Sequence, residues 1–235
     1  MKFKLITFFV MVIFSACVFA ADSGGNSVYI DQTNADGSTL SITQTGSGNV
    51  VGDPSNMISP AFVIEGNNMD MTIVQDGMNN SVSGNFIGGD STATITQTGS
   101  GNSTVLNQGN FGTGSGILGI TLTGDNNTST VNMATTHNAG NYNYSLSVTG
   151  DTNTITSTIN SKYTTNNLIF TGNSNTLTTV QSGANGTSSL AGHSITTNII
   201  GNSNTASITQ NGTTTPNAVT LNVTGSNTTT TIVQH

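Results

Sequence analysis

From Ser91 to Gln108 the chain alternates at the two-residue period of an extended strand. Ser91, Ala93, Ile95, Gln97 and Gly99 fall on one face, and Thr92, Thr94, Thr96 and Thr98 on the other. The first face is small, apolar or amide-bearing; the second is a row of threonine. The phase resumes after Ser100-Gly101, where Asn102, Thr104, Leu106 and Gln108 take the inner face of a second strand. The stretch predicts two strands folded over one another about a tight turn, one rung of a larger stack.

The pattern recurs along the chain. Ser38, Leu40, Ile42, Gln44 and Gly46, followed by Asn49, repeat it, as do Met69, Met71, Ile73, Gln75 and Gly77, followed by Asn80 and Val82. Asn204, Ala206, Ile208, Gln210 and Gly212 read as a further copy of the first half. Between these, Leu122-Gly124-Asn127, Val148-Gly150-Asn153 and Phe170-Gly172-Asn175 keep the turn and lose the glutamine. Turn glycines at 77, 99, 124, 150, 172, 201 and 225 are spaced by 22 to 29 residues. Half-steps of 11 residues occur at Gly66 to Gly77, Gly172 to Gly183 and Gly201 to Gly212, so each step holds two strands and two turns.

A unit this short cannot bury an apolar face alone and must stack on its neighbours. The expected fold is all-β: a β-solenoid of strand-turn-strand rungs over residues 38–235, preceded by a polar segment at 21–37. Repeat 91–108 is the best formed, and 120–200 is degenerate. Longer inserts at 52–60, 109–119, 135–143 and 183–193 separate the repeats. Gly and Asn suit the corners because both tolerate positive φ. Stacked Gln and Asn inside can form amide ladders, each side chain donating to one neighbour and accepting from another. At about 4.8 Å between strands, roughly nine rungs would make a rod about 40 Å long.

Composition narrows the alternatives. Charged residues are 6% and hydrophobic residues 33% of the chain, too few apolar groups for an ordinary core and too little charge for a typical disordered chain. Lys2 and Lys4 precede an apolar run from Leu5 to Ala16, and Val18-Phe19-Ala20 offers a cleavage site, so 1–20 reads as a secretory signal peptide. A second reading is lipidation at Cys17, after Phe14-Ser15-Ala16. The run is too short to span a membrane. Cys17 is the only cysteine, so the cleaved chain forms no internal disulfide. With the leader removed, Lys162 stands against ten carboxylates and there is no arginine, which excludes phosphate neutralisation and hence nucleic acid as a partner.

Candidate chemistry is sparse. His137, His193 and His235 are scattered without carboxylates or thiols at ligand spacing, and read as solvated residues. Asp125 and Asp151 sit in Gly-Asp-Asn-Asn and Gly-Asp-Thr-Asn turns, where Asp is expected to bond locally. Calcium at such corners would require the acidic nonapeptide of calcium-stacked β-rolls, which is missing. No Gly-x-Ser-x-Gly elbow with an assignable base occurs. The expectation is a non-enzyme without catalytic, metal or cofactor residues. Met57, Met69, Met71, Met78 and Met133 read as gap fillers in a thin core, and Tyr142, Tyr144 and Tyr163 as packing or surface residues.

The spacing Ser91-x5-Gln97-x-Gly99-x2-Asn102-x5-Gln108 resembles the curlin repeat, the unit of bacterial curli fibre subunits. The copies at Ser38, Met69 and Gln210 resemble it in part, and 120–200 only in period. The resemblance implies a secreted functional amyloid that polymerises at the cell surface into fibres for biofilm matrix and adhesion. It implies as partners other copies of the chain, a nucleating subunit and an outer-membrane secretion pore. The candidate fibre-core ladder is Ser38, Gln44, Gly46 and Asn49; Gln75, Gly77 and Asn80; Ser91, Gln97, Gly99, Asn102 and Gln108; and Asn204, Gln210 and Gly212.

The strand from Thr228 to His235 has no proline or charge run after it and reads as an open edge. Its Ile232 and Gln234 repeat the inner positions of a rung, making them the expected polymerising edge. Two alternatives share the fold. Rows such as Thr92, Thr94, Thr96 and Thr154, Thr156, Thr158 resemble those of threonine-rich solenoid ice-binding proteins. A passive repeat stalk or adhesin is the other.

Overall fold

A computed structural model describes residues 25–34, 37–53, 61–88, 91–109, 116–133, 142–185, 192–212 and 216–235. The expected leader, Cys17, Met57 and His137 lie outside the described residues. The chain is a β-solenoid: twenty strands and no helix among the described residues, arranged in two sheets whose strand pairs are all parallel. Parallel pairing follows from the repeat, since each rung is the previous one translated along the axis.

The first level is half a rung, β1 (Ser27–Val28) and β2 (Ile30–Thr33). Eight complete rungs follow, each with its first strand in a leading sheet and its second, past a corner, in a trailing sheet. They are β3 (Thr39–Ser47) with β4 (Val50–Val51) and β5 (Phe62–Glu65); β6 (Asp70–Met78) with β7 (Ser81–Ile87); and β8 (Ser91–Ser100) with β9 (Ser103–Gly109). Next come β10 (Gly116–Ile117) and β11 (Leu122–Thr123) with β12 (Thr128–Met133), and β13 (Tyr142–Thr149) with β14 (Thr154–Lys162). The last three are β15 (Thr165–Thr171) with β16 (Thr176–Asn185), β17 (Ser194–Ile200) with β18 (Thr205–Gly212), and β19 (Ala218–Thr224) with β20 (Thr229–Gln234).

Registry is set by like meeting like. In the leading sheet Ile42, Ile73 and Ile95 lie side by side, as do Gly46, Gly77 and Gly99. Inward side chains of both sheets form one thin core, with Ile73, Ile95, Leu106, Val131, Ile155, Leu168 and Leu177 fully buried. The strand alternation read from the sequence is the alternation seen in burial: β9, for example, runs from half-buried Ser103 through buried Thr104, Leu106 and Gln108. A slip of one residue would turn the whole inner set outward, so the core enforces the register.

Two expectations on boundaries change. Residues 27–33, expected as polar chain ahead of the solenoid, pair in parallel with β4 and β5 and form its first half-rung. Their Val28 and Ile30 are apolar at alternate positions and pack against the core. The copy at 204–212 also occupies a different place. Asn204 is a corner residue and Thr205–Gly212 lies in the trailing sheet, so this segment is the second half of a rung.

Candidate functional site: amide columns and the two rims

The corner between leading and trailing strands is Gly-x-x-Asn in seven successive rungs, from Gly46–Asn49 to Gly201–Asn204. Its third residue is left-handed whether it is Gly48 (φ 69°), Asn79 (56°), Thr152 (56°) or Ser203 (57°). The first residue has to be glycine for a second reason. At Gly99, with φ near +100°, an added Cβ would run into the carbonyl oxygen of Gly124 in the next rung.

The asparagines at the corners form an unbroken column that begins at half-buried Asn26 and continues through buried Asn49, Asn80, Asn102, Asn127, Asn153, Asn175 and Asn204. In the middle of it, Asn102 Oδ1 accepts the backbone N–H of Asn127 and its Nδ2–H, both at 3.0 Å. The Nδ2 of Asn102 in turn donates to Asn80 Oδ1 (3.1 Å), Thr98 O (3.0 Å) and Gly124 O (2.7 Å). Asn102 thus satisfies a main-chain carbonyl of its own corner and a carbonyl and an N–H of the next, and meets the amide oxygen of the corner before; the main-chain groups would otherwise be buried without partners. The column ends at Thr228, whose N–H (3.0 Å) and Oγ1–H (2.6 Å) both donate to Asn204 Oδ1. Outside the same corners runs a second chain of contacts. Asp125 Oδ1 accepts from Ser100 N–H (2.7 Å), Asp151 Oδ1 from Asp125 N–H (2.8 Å) and Asn173 Oδ1 from Asp151 N–H (2.8 Å). These aspartates, expected to bond locally, bond between rungs.

Glutamines stack as two short ladders on opposite sheets. In the leading sheet Gln44 Nε2 donates to Gln75 Oε1 (2.8 Å) and Gln75 Nε2 to Gln97 Oε1 (3.2 Å). In the trailing sheet Gln181 donates to Gln210 (3.0 Å) and Gln210 to Gln234 (3.1 Å). Gln97 also donates to Ser81 O (3.1 Å), in the trailing strand of the rung before, and to Asn102 O (2.8 Å), at the corner of its own rung.

The expected ladder residues divide accordingly. Gln44, Gln75 and Gln97 stack with one another, Gln210 stacks with Gln181 and Gln234, and Asn49, Asn80, Asn102 and Asn204 stand in the corner column. Gly46, Gly77 and Gly99 line the corner. Gln108 does not join a ladder: although buried, it lies between Phe86 and Met133 in register. Gly212 is not a corner glycine but pairs with Gly183 inside the trailing sheet. Ser38 sits at the opposite corner, where its Oγ donates to Gly66 O (3.1 Å) and accepts from Met69 N–H (3.0 Å). Ser91 opens β8, with its backbone opposite Gly116.

Sequence reading missed Gln181 and Asn26 as column members and took Asn127, Asn153 and Asn175 only as turn residues. Gln181 lies nine residues after the corner glycine, at Gly172, as Gln108 lies nine after Gly99, and that spacing was the available signal.

Other polar side chains also lie in the core. His193 is buried, not solvated as expected: Nδ1 accepts from Asn217 N–H (3.1 Å), which leaves Nε2–H to donate to Ser182 O (3.1 Å). Tyr144 is fully buried, its hydroxyl 3.2 Å from Ser157 Oγ, and burial pushes the phenol well above its ordinary pKa. Among the described residues no three His, Cys, Asp or Glu side chains converge as metal ligands.

At the C-terminal rim, β19 pairs only with β17 and β20 only with β18 among the described residues. Ile232 and Gln234 of β20 face inward and are half-buried, while Val233 between them is exposed. The searched protein-family models include none that matches this chain, and a search of curated proteins found no match.

Proposed function

We propose that the chain is a structural subunit that stacks end to end into secreted, extracellular curli-like amyloid fibres serving biofilm matrix and adhesion. The observation that carries this reading is that one rung grammar runs through the whole rod and brings hydrogen-bonding columns to its rim at Gln234. A rim strand offers main-chain N–H and C=O groups in the same spacing as every interior strand. Another copy placed by translation along the axis meets them in parallel orientation, and such a head-to-tail contact does not close on itself. The partners are therefore further copies, with a nucleating subunit and a secretion pore following from the curlin resemblance. The negative charge of the cleaved chain, Lys162 against ten carboxylates, slows encounter between copies, chiefly at low salt.

The test is to purify the chain without denaturant and follow thioflavin fluorescence over days, with and without sonicated seed. Seedable fibres with a meridional reflection near 4.7 Å are expected. A chain that stays monomeric throughout sinks the proposal.

One observation favours a second reading. On the outer face of the trailing sheet Thr128, Thr154, Thr176, Thr205 and Thr229 form one column, and Thr130, Thr156, Thr178, Ser207 and Thr231 the next. Such ranks, about 4.8 Å apart along the axis, resemble those of threonine-rich solenoid ice-binding proteins. A monomer that shapes ice crystals would favour this reading over the fibre.

A further inference from the structure

The two ends of the trailing sheet carry matching strands, and from them we infer the register in which one copy joins the next: β20 pairs in parallel with β1 and β2, setting Gln234 against Gln32 and Thr228 against Asn26. This rests on the polymerising reading above. Following register partners through the sheet, Gln32 begins a single inward column that passes Ile64, Phe86, Gln108, Met133 and Ile159 and ends with Gln181, Gln210 and Gln234. Val28 begins another column, which ends at Thr230.

Laid against each other, the rims read Val28-x-Ile30-x-Gln32 and Thr230-x-Ile232-x-Gln234, so each inward position meets a side chain of its own kind or shape. The amide polarity also agrees. Gln181 donates to Gln210 and Gln210 to Gln234, so Gln234 presents its Nε2 to the next level, where Gln32 supplies an Oε1. At the corner, Thr228 donates its hydroxyl to Asn204 and keeps lone pairs for the N–H and Nδ2–H of Asn26, which continues the column to Asn49.

The leading sheet does not match in this way. Its first described strand, β3, lies one level beyond β1 and β2, and its inner residues Leu40, Ile42 and Gln44 correspond to Val219, Leu221 and Val223 at the other rim. In the inferred joint β19 and the next copy's β3 are two strand spacings apart, about 9.6 Å, and the trailing sheet carries the contact.

Paired cysteines on outward positions test the register, introduced into the full chain with Cys17→Ser. Asp31→Cys with Val233→Cys places two thiols side by side across the joint, within disulfide reach. Asp31→Cys with Thr231→Cys reports a two-residue slip, and Ser41→Cys with Thr220→Cys reports direct pairing of β3 with β19. Preformed fibres are treated with diamide, which takes up two electrons and two protons per disulfide, and run on a denaturing non-reducing gel. The expected result is a ladder of covalent multimers from the first pair and monomer from the other two. Fibres in which another pair cross-links, or none does, overturn this register while leaving the fibre proposal standing. Failure of the unmodified chain to polymerise overturns both.

Discussion

The corner and the flat face of the solenoid use the same chemistry, a side-chain amide, with different tolerance. Asparagine holds the corner at eight consecutive levels, from Asn26 to Asn204, before threonine takes over at Thr228. Glutamine holds the flat of the leading sheet at three levels and then yields to Leu122, Val148, Phe170, Ile199 and Val223 in the same column. The difference lies in what each amide serves. The corner asparagine satisfies main-chain groups that the turn leaves without partners and that no apolar residue could pair. The ladder glutamine divides its bonds between neighbouring glutamines and main-chain carbonyls, such as Val50 O from Gln75 and Ser194 O from Gln210, and pairs no main-chain N–H of a turn, so a column can exchange amides for hydrocarbon if it does so in blocks.

The largest effect is expected for Asn127→Ala, which strips partners from the buried N–H of Asn153 (3.0 Å) and from Gly150 O (2.7 Å). A loss of about 3–5 kcal/mol is expected, read from the denaturation midpoint. A loss below about 1 kcal/mol would erase the distinction between corner and flat. Gln75→Leu interrupts a ladder in mid-course, taking the acceptor from Gln44 and the donor from Gln97. It should cost about 2 kcal/mol by the same measurement, less than the corner change because no turn is orphaned. Gln108→Met, between Phe86 and Met133, keeps the side-chain volume and removes an amide that stands outside the ladders; it should cost about 1 kcal/mol, less than Gln75→Leu. A larger loss there would mean that core glutamines outside the ladders matter as much as stacked ones.

Much of this was legible in the chain. Alternation in Ser91–Gln108 and the recurring Gly-x-x-Asn announced strands, corners and stacking, because period and positive-φ residues are local properties. The half-rung at 27–33 was hidden because seven residues of mixed character carry too little periodic signal beside the corner motifs. His193 was misread for a different reason: its partners, Ser182 and Asn217, lie 11 and 24 residues away in sequence, and only the coil brings them to the ring nitrogens.

Sequence alone determined which residues face inward and where the chain turns, since both follow from two-residue alternation and from backbone angles open to few residue types. Tertiary structure decided which amides stack. A column neighbour comes from the adjacent rung, 22 residues away for Gln75 and Gln97 and 29 for Gln181 and Gln210. Gln97 and Gln108 look equivalent within their repeat, yet the first meets Gln75 and the second meets Phe86 and Met133.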